Sequence, residues 1–449
     1  AAAAAAARPS FLTPEGRYAL LAESAAPGVP FSAPRSTQLS AARLAGQAGA
    51  VGGPGATSSY LLYNIGDALH ISSAHLGGKD PLRTVLFPGG TGTGAVFPTC
   101  HSHLQTADGK DLLVGLSNGE VLLGSLLAQL QAAASNTKLL QPQRYNPEGV
   151  VDSSRVTQVE WSVQSEGQIF VVAHASGALY LYAKSQGDVD TVALGGPPVK
   201  TLKNSPVGNI PVSGGAIHDF AFSPDGTKLA TATRDGVMRV FEFPSGPLLT
   251  GFKSYYGGLL CVAWSHDGRY IATGGEDDLI AVFSVHEERV IVWGEGHSSW
   301  ITAVAFDPVM TDVGAGKPSR MGTPDFYRIG SVGQDTQVLL WDIVVEDDHA
   351  GAADAGGNAD VDSPGSMLPA TVSPSSSAAG RSGAITPSVP HREMSFTPPI
   401  MQGRWHVEPI SDILFSDSAL ITACQGGQVK VWARPGRANG SAAGSRDGG

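Results

Sequence analysis

Charge is scarce in this sequence: Asp, Glu, Lys and Arg make up 15% of 449 residues, against a usual ~25%. Aromatics are 7%. A chain so short of Glu and Lys disfavours long solvent-exposed helices. Cysteine is nearly absent. Cys100, Cys261 and Cys424 are odd in number and far apart, which excludes a disulfide framework and reads as reduced, buried thiols of a cytoplasmic or nuclear protein. No apolar run reaches the ~18 residues of a membrane-spanning helix. With 29 basic and 40 acidic residues the net charge is −11, which argues against nucleic acid or an anionic membrane as the partner. The first residue is not Met and the chain opens AAAAAAARPS. That start reads as a fragment or processed form with a low-complexity lead, from which no secretory signal can be read.

Glycine, by contrast, is abundant, at 57 of 449 residues, and much of it recurs in register. IHDFAFSPDGTKLATATRDGVMRVFEF from Ile217 and LCVAWSHDGRYIATGGEDDLIAVFSV from Leu260 align without a gap. Phe222 and Trp264, Gly226 and Gly268, Thr231 and Thr273, Asp235 and Asp277, and Phe241 and Phe283 are each 42 residues apart. A third copy opens at ITAVAFDP and closes with RIGSVGQDTQVLLWDI at Trp341, and a fourth, ISDILFSDSALITACQGGQVKVWARP, contains Trp432. Weaker copies span 155–183, 98–126 and about 58–73. Period-two apolar alternation broken by Asp-Gly or Asn-Gly pairs means antiparallel hairpins. A 40- to 45-residue unit of four strands ending in Trp-Asp is the signature of a β-propeller blade. Four clear and three degenerate units predict an all-β, seven-bladed WD-repeat β-propeller.

The predicted boundaries are a low-complexity region over 1–55, blades one to six over 56–344, an insertion over 345–400, the last blade over 401–436 and a tail over 437–449. The insertion has seven acids and two bases and is rich in Ala, Gly, Ser and Pro, a composition that predicts disorder. It interrupts the passage from the sixth to the seventh blade. The lead and tail read likewise, although FLTPEGRYALL near Phe11 could supply an extra strand. Ser363-Pro364, Ser373-Pro374, Thr386-Pro387 and Thr397-Pro398 are candidate sites for proline-directed kinases.

Blade six carries a full polar set: His297, Ser331, Asp335 and Trp341. In a WD repeat such residues form a hydrogen-bond chain that staples the strands, each buried donor meeting an acceptor. The structural role outweighs a hydrolytic triad. Thr231 with Asp235, and Thr273 with Asp277, repeat half of the set, and the fourth copy has Thr422 but Gly426 in place of the Asp. GLSNG over 115–119 matches a nucleophile elbow, but strand-like runs flank it and Asn118-Gly119 is a hairpin signal. Cys100, His101 and His103 are close in sequence, yet His70 and His75 are their nearest companions and follow no zinc-site spacing. PGGTGTG over 88–94 lacks the ending of a phosphate loop. No catalytic residue, cofactor or metal site is predicted, and the chain reads as a non-enzyme.

Aromatics stand where the repeat does not need them. Tyr255 and Tyr256 in KSYYGGLLCVAW, and Trp300 in HSSWITAVAF, precede the innermost strands of their blades on loops that open at one rim. They are candidate partner-binding anchors, with capping of the blade interior as the alternative. Among the nearby acids, Asp277 reads as structural and Glu276 and Asp278 as solvated.

The phrases HDFAFSPDG, KSYYGGLLCVAWSHDGRYIATGGEDDL, GHSSWITAVAFDP and RIGSVGQDTQVLLWD resemble the family of WD repeat-containing protein 20, the dystrophia myotonica WD-repeat protein and the fungal catabolite-repression protein creC. FLTPEGRYALL, PTCHSH, LLVGLSNGEV, SRVTQVEW, FVVAHASGALYLY and LITACQGGQVKVWARPG extend the resemblance over nearly the whole propeller. It implies a non-enzymatic partner that binds the catalytic domain of a ubiquitin-specific protease and activates or stabilises it, often alongside a second WD-repeat activator. Its interface anchors match Tyr256, where other members carry Phe, and Trp300. The insertion here is shorter than in animal members.

The competing expectation is a substrate receptor of a cullin-type ubiquitin ligase, or a generic protein-interaction propeller. Such receptors usually show Trp-Asp-x-Arg at a blade end, whereas this chain reads Trp341-Asp342-Ile343-Val344.

Overall fold

The structure is a computed structural model that describes residues 9–25, 37–45, 57–74, 76, 81–87, 96–106, 109–132, 137–184, 204–212, 215–310, 325–345, 371–372 and 383–435. Among the described residues the strands form seven sheets, each built on an antiparallel run of four. The fold class is an all-β, seven-bladed WD-repeat β-propeller. Two compact units are distinguished, Ala1–Asp219 with His406–Gly449, and Phe220–Trp405.

The first unit holds four blades. Blade one comprises Leu39–Ala45, Thr57–Ile65, Ala68–Ser73 and Arg83–Leu86. Blade two comprises Pro98–Thr106, Gly109–Leu116, Val121–Ser125 and Gln143–Tyr145, and blade three Val156–Trp161, Ile169–His174, Ala178–Ala183 and Gly208–Pro211. Blade seven comprises Ile410–Phe415, Ala419–Cys424 and Gln428–Ala433, and its fourth strand, Gly16–Ala25, comes from the start of the chain. Ser10–Thr13 folds back on that strand. The suggestion of an extra strand near Phe11 thus takes definite form: Tyr18 is fully buried, its ring stacks on Phe11 at 4.7 Å, and Phe11 meets Trp432 edge-on at 5.5 Å. Blade one also begins inside the region expected to be low-complexity. Leu39–Ala45 is rich in Ala, a weak strand former, so pairing with Thr57–Ile65 rather than local propensity holds it extended.

The second unit holds blades five and six and, save for the first residues of its inner strand, blade four. Blade four runs Ile217–Phe222, Lys228–Thr233, Val237–Glu242 and Leu248–Lys253, and blade five Leu259–Trp264, Tyr270–Gly275, Leu279–Ser284 and Arg289–Glu295. Blade six runs Ile301–Phe306, Asp325–Gly333 and Gln337–Val345, and takes Met401–Arg404 as its fourth strand. Tyr270–Gly275 and Leu279–Ser284 are buried along their whole length, because both faces of blade five's middle strands are covered. Across the turns of neighbouring blades, Tyr327 Oη donates to Asp267 Oδ2 at 2.6 Å and Trp264 Nε1 to Ala221 O at 3.0 Å.

The insertion departs from expectation twice. It lies within blade six, between the third and fourth strands, so Met401–Arg404 completes blade six instead of opening the last blade. It also ends earlier than its composition implies: Ala384–Thr386 adds to blade four and Phe396–Thr397 to blade five, each as a parallel outermost strand. Outer-edge backbone groups supply the hydrogen bonds there, and Gly251 leaves room for the Ile385 side chain, whose Cδ1 would lie 2.9 Å from a Cβ at that position. Residues 346–370 and 373–382 of the insertion and the tail after residue 435 lie outside the described residues, as do Ser363, Ser373, His75 and the segment 88–94.

Candidate functional site

The polar chain of blade six closes completely. Trp341 Nε1 donates to Ser331 Oγ at 2.8 Å, Ser331 Oγ meets His297 Nε2 at 2.8 Å, and His297 Nδ1 meets Asp335 Oδ2 at 2.9 Å. The carboxylate also accepts the backbone N–H of Ser298 at 3.0 Å and of Gln337 at 3.1 Å. With the Trp donating to Ser331 and the carboxylate accepting from Nδ1, the network assigns Ser331 O–H as donor to Nε2. Burial opposes ionisation of Asp335, but hydrogen bonds from His297, Ser298 and Gln337 outweigh it and hold the carboxyl at about 2. Ser331 and Trp341 are fully buried. A Ser–His–Asp set sealed this way has no room for a substrate at the hydroxyl, and its geometry is that of a staple.

Blades four and five depart from the expected half-sets. The Thr231 and Thr273 hydroxyls are fully buried and have no hydrogen-bond partner among the described residues. Asp235 instead pairs with Thr233 Oγ1 at 2.5 Å and with Arg239 Nη2 at 2.6 Å. The reason is the missing imidazole. Thr231 and Thr273 occupy the register of Ser331, whose partner is His297, and 42 residues before His297 stands Tyr255. Blade seven keeps part of the chain: His406 Nε2 meets Thr422 Oγ1 at 2.9 Å, although Gly426 stands where the Asp would be. His406 went unrecognised in the sequence, yet its signal is legible, four residues before Ile410 as His297 is four before Ile301.

The rim aromatics lie outside these staples, on loops held by the turns between the second and third strands. Tyr255 is 46% exposed, Tyr256 72% and Trp300 43%. All three side chains thus reach solvent. The Tyr255 N–H donates to Asp277 Oδ2 at 3.2 Å, and the Gly258 N–H to Glu276 Oε2 at 2.9 Å. Glu276 is thus engaged rather than solvated. On blade six the Gln334 N–H donates to Trp300 O at 2.9 Å. In each blade the turn between the second and third strands grips the loop that carries the aromatic. Burial pushes Asp277 up to about 6, and burial, then Asp335, raises Asp278. Asp278 and Thr336 take φ of +61° and +65° at the turn position where blade four has Gly236 at +76°, a conformation that costs non-glycine residues about 1 kcal/mol. On the other side the Tyr255 ring meets His391 edge-on at 5.9 Å.

The remaining candidates fall to structural roles. Ser117 in GLSNG sits in a hairpin turn, its Oγ accepting from Phe97 N at 3.1 Å. Cys100 is buried, and burial pushes its thiol up to about 12. His101 Nε2 meets Ser40 Oγ at 2.9 Å and His70 Nδ1 meets Thr84 Oγ1 at 3.1 Å. Burial lowers His101 to about 3 and His103 to about 4. Among the described residues no group of three or more His, Cys, Asp or Glu is placed to hold a metal ion, and no helix is long and apolar enough to cross a membrane. Asp342 is buried, and Arg328 grips it at 2.7 Å (Nε to Oδ1) and 2.8 Å (Nη2 to Oδ2).

Comparison with known proteins agrees with this architecture. The family "WD domain, G-beta repeat" matches residues 197–242 and 246–284, so the chain carries WD40 repeats. A solved structure described as "Crystal Structure of Mitotic Checkpoint Complex" is similar with a TM-score of 0.52 and 15% identity, over 83% of this chain and 87% of that one. The computationally designed Ika8 protein is similar with a TM-score of 0.47 and 14% identity, over 84% of this chain and 80% of that one.

Proposed function

We propose that this WD-repeat propeller is a non-catalytic scaffold that binds a ubiquitin-specific protease through Tyr255, Tyr256 and Trp300 and activates or stabilises it. The carrying observation is the exposure of three large aromatics on adjacent loops whose backbones are pinned from beneath by Asp277, Glu276 and Gln334. Aromatics held rigidly in water lose little entropy on binding and supply the area of interface hot spots. The WD40 repeats support a protein-interaction role in general, and the resemblance of the phrases around Tyr256 and Trp300 directs it to a deubiquitinase. Activation follows if the bound surface belongs to the enzyme's active conformation and raises its population.

The ligase-receptor reading has less support. The side chain after Trp341 is a buried carboxylate already held by Arg328, and no Arg stands two residues beyond it. Mixing the purified chain with the catalytic domain of a ubiquitin-specific protease, and following release of a fluorophore from the ubiquitin C-terminus, tests the proposal. Faster turnover on titration is the expected result. Unchanged turnover with no complex on size exclusion overturns it.

A further inference from the structure

The downstream part of the insertion is latched to the outer strands of blades four and five by very little backbone. Thr250, Gly251 and Phe252 face Ala384, Ile385 and Thr386 in parallel register, and Trp293 and Gly294 face Phe396 and Thr397. Gly383 N donates to Leu249 O at 2.6 Å and Trp293 N to Ser395 O at 2.8 Å. Between these strands the short turn His391–Glu393 sets the His391 ring against Tyr255 and, at 4.5 Å, against Phe396. One side chain bolts the first strand down: Thr386 Oγ1 donates to Glu288 O at 2.9 Å. Thr386 is half-buried and is followed by Pro387, which is exposed.

We propose that Thr386 is a phosphorylation site for a proline-directed kinase, and that phosphate there unlatches residues 383–397 from the outer edges of blades four and five. Transfer of the γ-phosphoryl group of ATP forms a bond to Oγ1, breaks the bond to the β-phosphate oxygen, releases the hydroxyl proton and leaves ADP. The oxygen that donated to Glu288 O then has no proton, so an acceptor faces an acceptor. The added charge of about −2 also lies beside Glu287 and Glu288, and the nearest cation on that strand, Arg289, is already paired with Glu287 at 2.6 Å. Strands of three and two residues open locally at far less cost than the blade unfolds, which presents the extended Thr-Pro segment to a kinase. Phosphate then blocks reclosure. Thr397 also precedes a proline but is buried, its hydroxyl turned to Pro398 O at 3.5 Å, so it becomes reachable only after the segment lifts.

Release withdraws His391 from Tyr255. Its consequence for a partner rests on the binding role proposed for that rim, whereas the latch itself does not. The test uses the full chain, MgATP and a proline-directed serine/threonine kinase, read by tandem mass spectrometry and by hydrogen exchange. The expected result is phosphate on Thr386, absent from Thr386→Ala, with amide exchange over 384–397 faster by about tenfold or more and Lys228–Thr233 unchanged. Failure to modify Thr386, under conditions where the kinase modifies a synthetic peptide of residues 381–392, overturns the proposal. So does phosphorylated protein whose exchange over 384–397 is unaltered.

Discussion

The Asp277 carboxylate holds the Tyr255 backbone N–H at 3.2 Å, much as Asp335, 58 residues later, holds Ser298 N–H at 3.0 Å. The two acids occupy the same turn of adjacent blades, yet their ionisation is displaced in opposite directions. Asp335 has an imidazole partner and is held at about 2, while Asp277 has backbone donors alone and is pushed to about 6. A tyrosine in the histidine register thus leaves blade five without its staple and delivers an aromatic to the surface.

This contrast predicts two pH dependences of opposite sign. The raised folded pKa of Asp277 favours the protonated form, so its contribution to stability is full below the ordinary carboxyl value and is lost as pH rises through about 6. Asp277→Asn removes the titration. Unfolding free energies measured by denaturant titration from pH 4 to 7 are expected to fall more steeply for the wild type than for the variant, by on the order of 1–2 kcal/mol once partial exposure is allowed for. Parallel curves would refute the assignment.

Asp335 behaves in reverse. Its folded pKa is depressed, so its contribution is present above the ordinary carboxyl value and is lost as pH falls through about 2. His297→Ala leaves a buried carboxylate and the Ser331 hydroxyl short of a partner. A loss of about 2–4 kcal/mol in denaturant unfolding is expected at neutral pH, together with a weaker acid dependence between pH 4 and 2. A loss below about 0.5 kcal/mol would mean the staple is not needed.

Closure of blade seven by Gly16–Ala25 predicts that a residue near the start of the chain is part of the core. Tyr18→Ala removes a ring that is fully buried, stacked on Phe11 and hydrogen-bonded to Glu15. A cost of about 3–5 kcal/mol is expected for emptying such a site, read as a lower midpoint in chemical denaturation. A midpoint equal to that of the wild type would show the strand to be dispensable.

These effects divide between what the sequence makes legible and what it hides. The 42-residue spacing, the Asp-Gly turns and the Trp-Asp ending declare the blades, because hairpins need turn residues at fixed places. The polar set His297, Ser331, Asp335 and Trp341 is equally plain. Ala384–Thr386 and Phe396–Thr397 are not, since two- and three-residue strands supply no periodicity and are held by edges distant in sequence. Leu39–Ala45 is masked by its alanines. The Thr231–Asp235 pairing misleads because the hydroxyl that reaches the acid lies two residues on, at Thr233. The rim aromatics can be located from the sequence, but the hydrogen bonds that hold their loops, from backbone N–H groups to the Asp277 and Glu276 carboxylates, are encoded by no motif.

The central claim is that the rim of blades five and six, and not the blade interiors, does the binding. Its most direct test is the affinity of a ubiquitin-specific protease catalytic domain for wild type, Trp300→Ala and Tyr256→Ala, measured by calorimetry beside melting temperatures of the same samples. Because both rings are exposed, stability should stay within about 0.5 kcal/mol of wild type, while binding weakens by about 2 kcal/mol or more per ring. Equal affinity of the wild type and the Tyr256→Ala, Trp300→Ala double variant would contradict the account.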